Sequence, residues 1–334
     1  MNGVERAVDF FRDRHMLCGH CGRRWVADLE WIDRWSDSQE SCPGCGVTCE
    51  AEAGPRVTVD PDDFALQDDE ITQFAWYHTS THPDWPDFDP AASLNDDSRA
   101  DMKSDALLDN WVDVKRAKAL HVGTYEAAVE NMLRRIYDHQ DEPGTQFYLY
   151  RLHLVPTVAV RAGWIPDPGN WMGDVMLDEV CPPGVDVARY RNDREDAGGI
   201  SLALGRTAIL SVQRIEIPLL LDEDSGWVAA AVRELKEAGA EPPTSGVIRR
   251  DVTSPRYEKA RELVAPLAER LPTSLGRQFV AATAFYARSI EDWAAYVIGL
   301  INIILAPEQA LAWRFHGDLS SSRVKTEEGC SDLR

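Results

Sequence analysis

The chain reads as an α+β protein: a small metal-stapled unit, then a mixed β-sheet domain with flanking helices, then a helical C-terminal region. Three observations predict this division. Five of the seven cysteines fall in the first fifty residues, apolar and polar residues alternate through the middle, and helical periodicity runs from residue 226 onward.

The first unit is expected over residues 1–52. "LCGHCGRRW" and "SCPGCGVTC" supply C-x2-C twice, with twenty residues between Cys21 and Cys42. Zinc favours four thiolates in a tetrahedron, and glycine after the second cysteine of each pair allows a tight knuckle that aims both sulfurs at one ion. Cys18, Cys21, Cys42 and Cys45 are the expected ligands. Each pair resembles the knuckle of a zinc ribbon, which implies a fold of short strands held mainly by a structural zinc. His20 and Cys49 lie close by, but four thiolates already close the coordination sphere.

An α+β domain is expected over 65–222. "FAWYHTS" is a strand candidate, "DALLDNWVDVKRAKA" has helical spacing, "LHV" ends at Gly123, and "TYEAAVENMLRRIY" reads as a helix capped by Thr124 with Glu126 in its first turn. "FYLYRLHLVPTVAV", "ISLAL" and "AILSVQRIEIPLL" follow as strands of one mixed sheet. The helical region, 223–317, contains "GWVAAAVRELKEAG", "SPRYEKARELVAPLAERL" and the run "SLGRQFVAATAFYARSIEDWAAYVIGLINIIL". Its aromatic and aliphatic residues, among them Phe279, Phe285, Tyr286 and Trp293, read as packing or an oligomer contact. Residues 318–334 have the composition of a disordered tail.

Charge narrows the partners. The net charge is −21, and residues 51–113 alone hold 16 acids against Arg56, Arg99 and Lys103. Such a chain repels phosphate backbones at long range, which argues against nucleic acid. The first fifty residues carry six arginines and nine acids, with Arg23 and Arg24 the only basic pair. A protein partner, or a brace against the next domain, is the better expectation for that unit. "MNGVERAVDFFRDRH" lacks the apolar core of a secretory signal. The longest apolar run, Trp293 to Pro307, is shorter than the roughly twenty residues a membrane span needs. A reduced, cytoplasmic setting is expected, with the oligomeric state left open.

The histidines in "FAWYHTSTHPDWPDFD" pose the functional question. His78 and His82 are four apart, yet Thr79, Thr81, Pro83 and Pro86 disfavour a helix that would pair them on a metal. His78 then ends a strand, as a packing residue or as a ligand contact. "WYHTS" resembles the first motif of the ADP-ribosyltransferase fold, in which an apolar strand ends in an aromatic, a histidine and small hydroxyl residues. "ALHVGTYEAAVENM" is similar to the strand-then-helix unit that follows, and "RYRNDREDAGGISLAL" places Glu195 where that family carries its catalytic glutamate. The resemblance covers residues 74–217. It implies NAD as substrate, with His78 holding the adenosine-side ribose between Tyr77 and Thr79, and Glu195 stabilising charge on the other ribose. By the same resemblance His121 and Thr124 line the pocket, Tyr125 or Tyr190 stacks on nicotinamide, and Arg191 or Arg194 meets the pyrophosphate. The chain departs from the family in lacking a Ser-Thr-Ser strand, and Asp193 stands two residues ahead of Glu195 in place of the usual paired acid.

Other chemistry is not signalled. There is no glycine-rich phosphate loop ahead of a helix, no G-x-S-x-G and no H-E-x-x-H. Cys181 and Cys330 have no general base near them in sequence. Two accounts remain: NAD-dependent transfer of ADP-ribose to a macromolecule, or a non-catalytic zinc-ribbon adaptor. A phosphotransferase on RNA is a variant of the first that the charge argues against.

Overall fold

The computed structural model describes residues 4–87, 89–94, 99, 101–102, 104–138, 145–169, 174–217, 220–221, 224–239, 254–285 and 288–312. The expected tail at 318–334, and Tyr286, lie outside them.

The N-terminal unit is a three-stranded antiparallel sheet in the order β2-β1-β3, made of β1 (Arg14–Cys18), β2 (Arg24–Ala27) and β3 (Pro55–Val57). Between β2 and β3 runs α1 (Leu29–Ser36), capped by the Asp28 carboxylate, which accepts from Trp31 N at 2.8 Å. Its own core is small: Met16, Ala27 and Val57, with Trp25, Trp31, Ile32 and Trp35 against them. A core of that size does not stabilise a fold alone, which is why a metal staple is needed. The unit therefore runs past residue 52 to include β3. Residues 4–10 precede it along the main body, where Val4 bridges Phe74 and Asp9 N donates to Glu126 Oε1 at 2.7 Å.

The middle of the chain forms two sheets instead of the one expected. The first has the order β10-β6-β4, with β4 (Trp76–Ser80), β6 (Phe147–Leu154) and β10 (Ile209–Ile217) all antiparallel. The second has the order β5-β9-β8-β7, with β5 (Leu120–Val122), β7 (Val160–Pro166), β8 (Val187–Arg191) and β9 (Ile200–Leu204). Only β7 and β8 pair in parallel. The sheets face each other across an apolar layer that includes Trp76, Tyr150 and Leu152 from one side and Val122, Val187 and Leu202 from the other. They touch edge to edge at one bridge, where Tyr77 and Gly123 exchange backbone hydrogen bonds of 2.9 Å.

The middle region carries α2 (Asp105–Arg116), α3 (Tyr125–Asp138), which packs on β4 and β6, and the short α4 (Leu177–Val180), which packs on β9. In the C-terminal region α5 (Ser225–Glu237), α6 (Pro255–Ala268), α7 (Thr273–Ala282), α8 (Ile290–Leu305) and α9 (Pro307–Ala312) follow. The helical run that begins "SLGRQF" is broken into α7 and α8. Thr283 Oγ1 bonds the Phe279 carbonyl at 2.7 Å, and Ser289 caps α8 by accepting from Asp292 N at 3.0 Å. These helices share one core with α3, with Ala75 just ahead of β4, and with Tyr77, Leu149 and Ile215 of the first sheet. Phe279, Phe285 and Trp293 are buried there. Among the described residues no helix is long and apolar enough to cross a membrane.

Candidate functional site

Two sites are built, and one loop is tied to both. The first is the cysteine cluster. Cys18 and Cys45 place their sulfurs 3.8 Å apart, Cys21 and Cys42 3.7 Å, and all four lie within 4.8 Å of one another. A tetrahedral ion with metal–sulfur bonds of about 2.3 Å separates its sulfurs by about 3.8 Å, so the four are positioned to hold one metal ion. Both knuckles have the same construction. Gly22 N donates to Cys18 O at 2.9 Å and Gly46 N to Cys42 O at 2.9 Å. Each of these glycines sits at φ 74, where a side chain would be strained. His20 is exposed and Cys49 is buried outside the set. Among the described residues no second metal-binding group is found, and His78 and His82 lie on a strand and the loop after it.

The second site is a cleft of about 90 Å³ where the two sheets splay apart beside α3. Its walls include His78, His121, Tyr190 and Glu195, contributed by β4, β5, β8 and the loop after β8. His78 donates from Nδ1 to the His121 carbonyl at 2.8 Å, and its ring stacks on Trp85 with centroids 4.3 Å apart at 17°. The proline-rich stretch after β4 thus folds back to clamp the imidazole. Burial first, and the Arg135 guanidinium second, push its pKa down to about 3. The ring is neutral at physiological pH, and with Nδ1 donating, Nε2 is an acceptor. His121 Nδ1 lies 3.1 Å from the Tyr190 hydroxyl, while its Nε2 is buried without a hydrogen-bond partner. Burial brings its pKa down to about 4.

Glu195 enters from the loop between β8 and β9. Its Oε1 accepts from Arg134 Nε at 2.7 Å and from Asn131 Nδ2 at 3.4 Å. Asn192 Nδ2 donates to Ser201 Oγ at 2.6 Å in the same wall. Asn131, Arg134, Asn192 and Ser201 were not singled out by sequence. Helical spacing held the signal for two of them, since Ala127, Asn131 and Arg134 fall on one face of α3. Gly123 closes the back of the cleft, where a Cβ would meet Ser201 Oγ at 2.6 Å.

Several expected contacts are elsewhere. Tyr125 is buried in the helical core and its hydroxyl donates to Ile303 O at 2.7 Å, so it cannot stack on a ligand in the cleft. Thr124 caps α3 by accepting from Ala127 N at 3.0 Å and donates to Asp196 Oδ2 at 2.7 Å. Its hydroxyl is spent there and does not line the cleft. Tyr77 borders the cleft, but its ring packs edge-on against Tyr125 and its hydroxyl donates to Glu5. Thr79 borders it too, with its hydroxyl committed to Ala128 O at 3.0 Å. Arg191 and Arg194 face the opposite side of the loop from the cleft. Tyr190 is the aromatic that the fold brings to the site.

What holds Glu195 in place is its neighbour. Asp196 has no solvent exposure and φ 47, a left-handed conformation uncommon outside glycine. Arg12 Nη2 and Arg14 Nη1 reach its Oδ1 at 2.5 and 2.8 Å, and its backbone N–H donates to Glu130 Oε2 at 2.8 Å. Gly198, at φ 86, lets the loop lie against the metal-held unit: a Cβ there would stand 2.8 Å from the Thr58 carbonyl oxygen. The unit also meets α7 through Asp37 and Arg277, at 2.8 and 3.0 Å, but that pair is exposed and screened by solvent, so it adds little. Removing one partner of a buried pair costs about 3–5 kcal/mol. The unit is therefore fixed to the main body chiefly at Asp196.

Three outcomes are expected. Cys42→Ser should take the metal content measured by elemental analysis from one per chain to near zero. Asp196→Asn should lower unfolding stability by about 3 kcal/mol in denaturant titration, against about 1 kcal/mol for Thr124→Ala. Burial first, and Asp196 second, push the Glu130 carboxyl up to about 8. Its folded pKa lies above the unfolded value, so its contribution is full below the unfolded pKa and is lost as pH rises toward 8. Glu130→Gln should flatten the fall in melting temperature between pH 5 and 8; an unchanged slope would show that Glu130 does not titrate there.

No protein-family model matches the chain, and neither does any curated protein or solved structure.

Proposed function

We propose that the cleft binds NAD and that the protein transfers ADP-ribose to a macromolecular acceptor, with zinc in the four-thiolate site as a structural ion. The observation that carries this reading is the meeting of His78 and Glu195, far apart in sequence, in one small cleft with a buried, unpartnered imidazole nitrogen between aromatic walls.

The chemistry follows from charge. When the bond between nicotinamide nitrogen and ribose C1′ breaks, the nitrogen keeps the electron pair and positive charge develops on the sugar. A carboxylate against that sugar stabilises the charge only as it forms, which is the condition for accelerating the step. Glu195 supplies the carboxylate, and Arg134 with Asn131 fix its orientation. A nucleophile of the acceptor then bonds to C1′ and loses its proton to solvent. The neutral His78 ring offers Nε2 to a ribose hydroxyl, and Tyr190 gives the flat wall. A hollow of about 90 Å³ takes a ring-sized group, and the rest of a dinucleotide lies along its mouth.

Zinc fits the metal site because four thiolates at tetrahedral spacing leave no open position for water, so the ion does no chemistry of its own. The metal-held unit serves this reading as a brace for the Glu195 loop and as a surface that selects the target.

Glu195→Gln keeps shape and removes charge. It should lower NAD turnover by about 10²–10³-fold with affinity changed less than about threefold. His78→Ala should instead weaken NAD binding about tenfold, the loss of one hydrogen bond. Isothermal titration and release of labelled nicotinamide separate the two effects. Wild-type protein that neither binds nor cleaves NAD would leave the adaptor account standing.

A further inference from the structure

The loop that carries Glu195 has a second side. Tyr190, Asn192 and Glu195 face the cleft, whereas Arg191, Asp193, Arg194 and Ala197 face a separate cavity of about 690 Å³. That cavity lies where the metal-held unit, the loop and α7 meet. Its size is in the range of small-molecule sites, roughly 300–1,000 Å³, and exceeds the cleft severalfold.

We propose that this junctional cavity is a second ligand site, taking an amphipathic aromatic anion, with the Glu195 loop as the wall it shares with the cleft.

The chemical class follows from the walls. One side is apolar: Leu29, Ile32 and Trp35 of α1, with Leu275 of α7 opposite. The other is cationic: Arg14, Arg56, Arg191 and Arg194 border the space, against the carboxylates of Asp193 and, behind Arg14, Asp196. Arg56 spends its hydrogen bonds on the carbonyls of Cys49, Pro55 and Ala51, so no carboxylate answers its charge there. Glu130, with its pKa raised by burial, adds no full negative charge at neutral pH. Arg14, Arg56, Arg191 and Arg194 line the space with Asp193 and Glu130 as its acids, which makes a cationic hollow in a chain of net charge −21. Gln278 also borders it, with a buried amide oxygen that has no hydrogen-bond partner. An anion with a flat apolar body and an N–H donor would satisfy all three features. Its weight would fall on the backbone of residues 193–197, which also sets Glu195.

8-Anilinonaphthalene-1-sulfonate has this chemistry, and N-phenyl-1-naphthylamine is its neutral counterpart. On the metal-loaded full chain, the sulfonate should bind saturably at one per chain and at least tenfold more tightly than the neutral compound. Arg194→Glu should weaken it tenfold or more. Ser274→Trp, at an exposed position on the cavity wall, should abolish it, with melting temperatures of both variants unchanged. Hydrogen exchange should slow at the amides of residues 192–199 when the sulfonate is bound. Equal affinity for the neutral compound, unchanged binding in Ser274→Trp, or protection that spares this loop would each overturn the proposal. None of these readouts involves NAD, so the outcome is separate from the reading of the cleft.

Discussion

A carboxylate removed from water needs cations and N–H or O–H donors, and Asp196 obtains them from two distant parts of the chain at once. Arg12 and Arg14 come from the segment entering the ribbon sheet, Thr124 from the cap of α3, and all bond to the two oxygens of one side chain. Nothing else among the described residues ties the small unit, the helix and the loop together so closely. The left-handed backbone at Asp196 would be strained in isolation, and the surrounding ion pairs are what hold it. The position of Glu195 follows, because the adjacent residue cannot move without exposing a paired charge.

This explains why a metal-binding site is built into a unit with so small a core. Arg14 opens β1, which pairs with both β2 and β3, and the cysteine cluster sits at the opposite, Cys18 end of that strand. Without the ion, Met16, Ala27 and Val57 are too little apolar surface to keep β1 in register. The four cysteines are thus linked to the cleft through strand geometry, since β1 carries Arg14, which holds Asp196 beside Glu195. An acidic chain also gains from confining its cations: arginines gathered at one junction hold like-charged segments together that would otherwise repel.

How much of this was legible in the sequence depended on whether the signal was local. The cysteine spacing, the Thr124 cap and the alternation of β6 and β10 are local, and the elements lie where the pattern put them. The division into two sheets was not legible, because strand alternation says nothing about which partner a strand takes. The same limit applied to Asp196. In sequence it is one of three acids in "NDRED", and only tertiary contacts distinguish the buried Asp196 from the exposed Asp193. Trp85 lies seven residues beyond His78, and that it folds back to stack on the ring depends on the turn between them, which the sequence does not specify.

The helix α3 shows how a single periodicity decides which residues meet a ligand. At 3.6 residues per turn, Thr124, Ala127, Asn131 and Arg134 share one stripe, running from the Asp196 anchor past the cleft to Glu195. Tyr125, Val129, Met132 and Leu133 fall on the opposite stripe and are buried in the core with the C-terminal helices. Tyr125 is a stacking candidate by the family resemblance, yet one step along a helix turns a side chain through about 100°, and that step takes it out of the site. Strand β8 makes the same division with period two: Tyr190 faces the cleft while Arg191 faces the cavity behind it. The loop that follows keeps that alternation through Asn192 and Asp193, so the chain separates two hollows with a wall one residue thick.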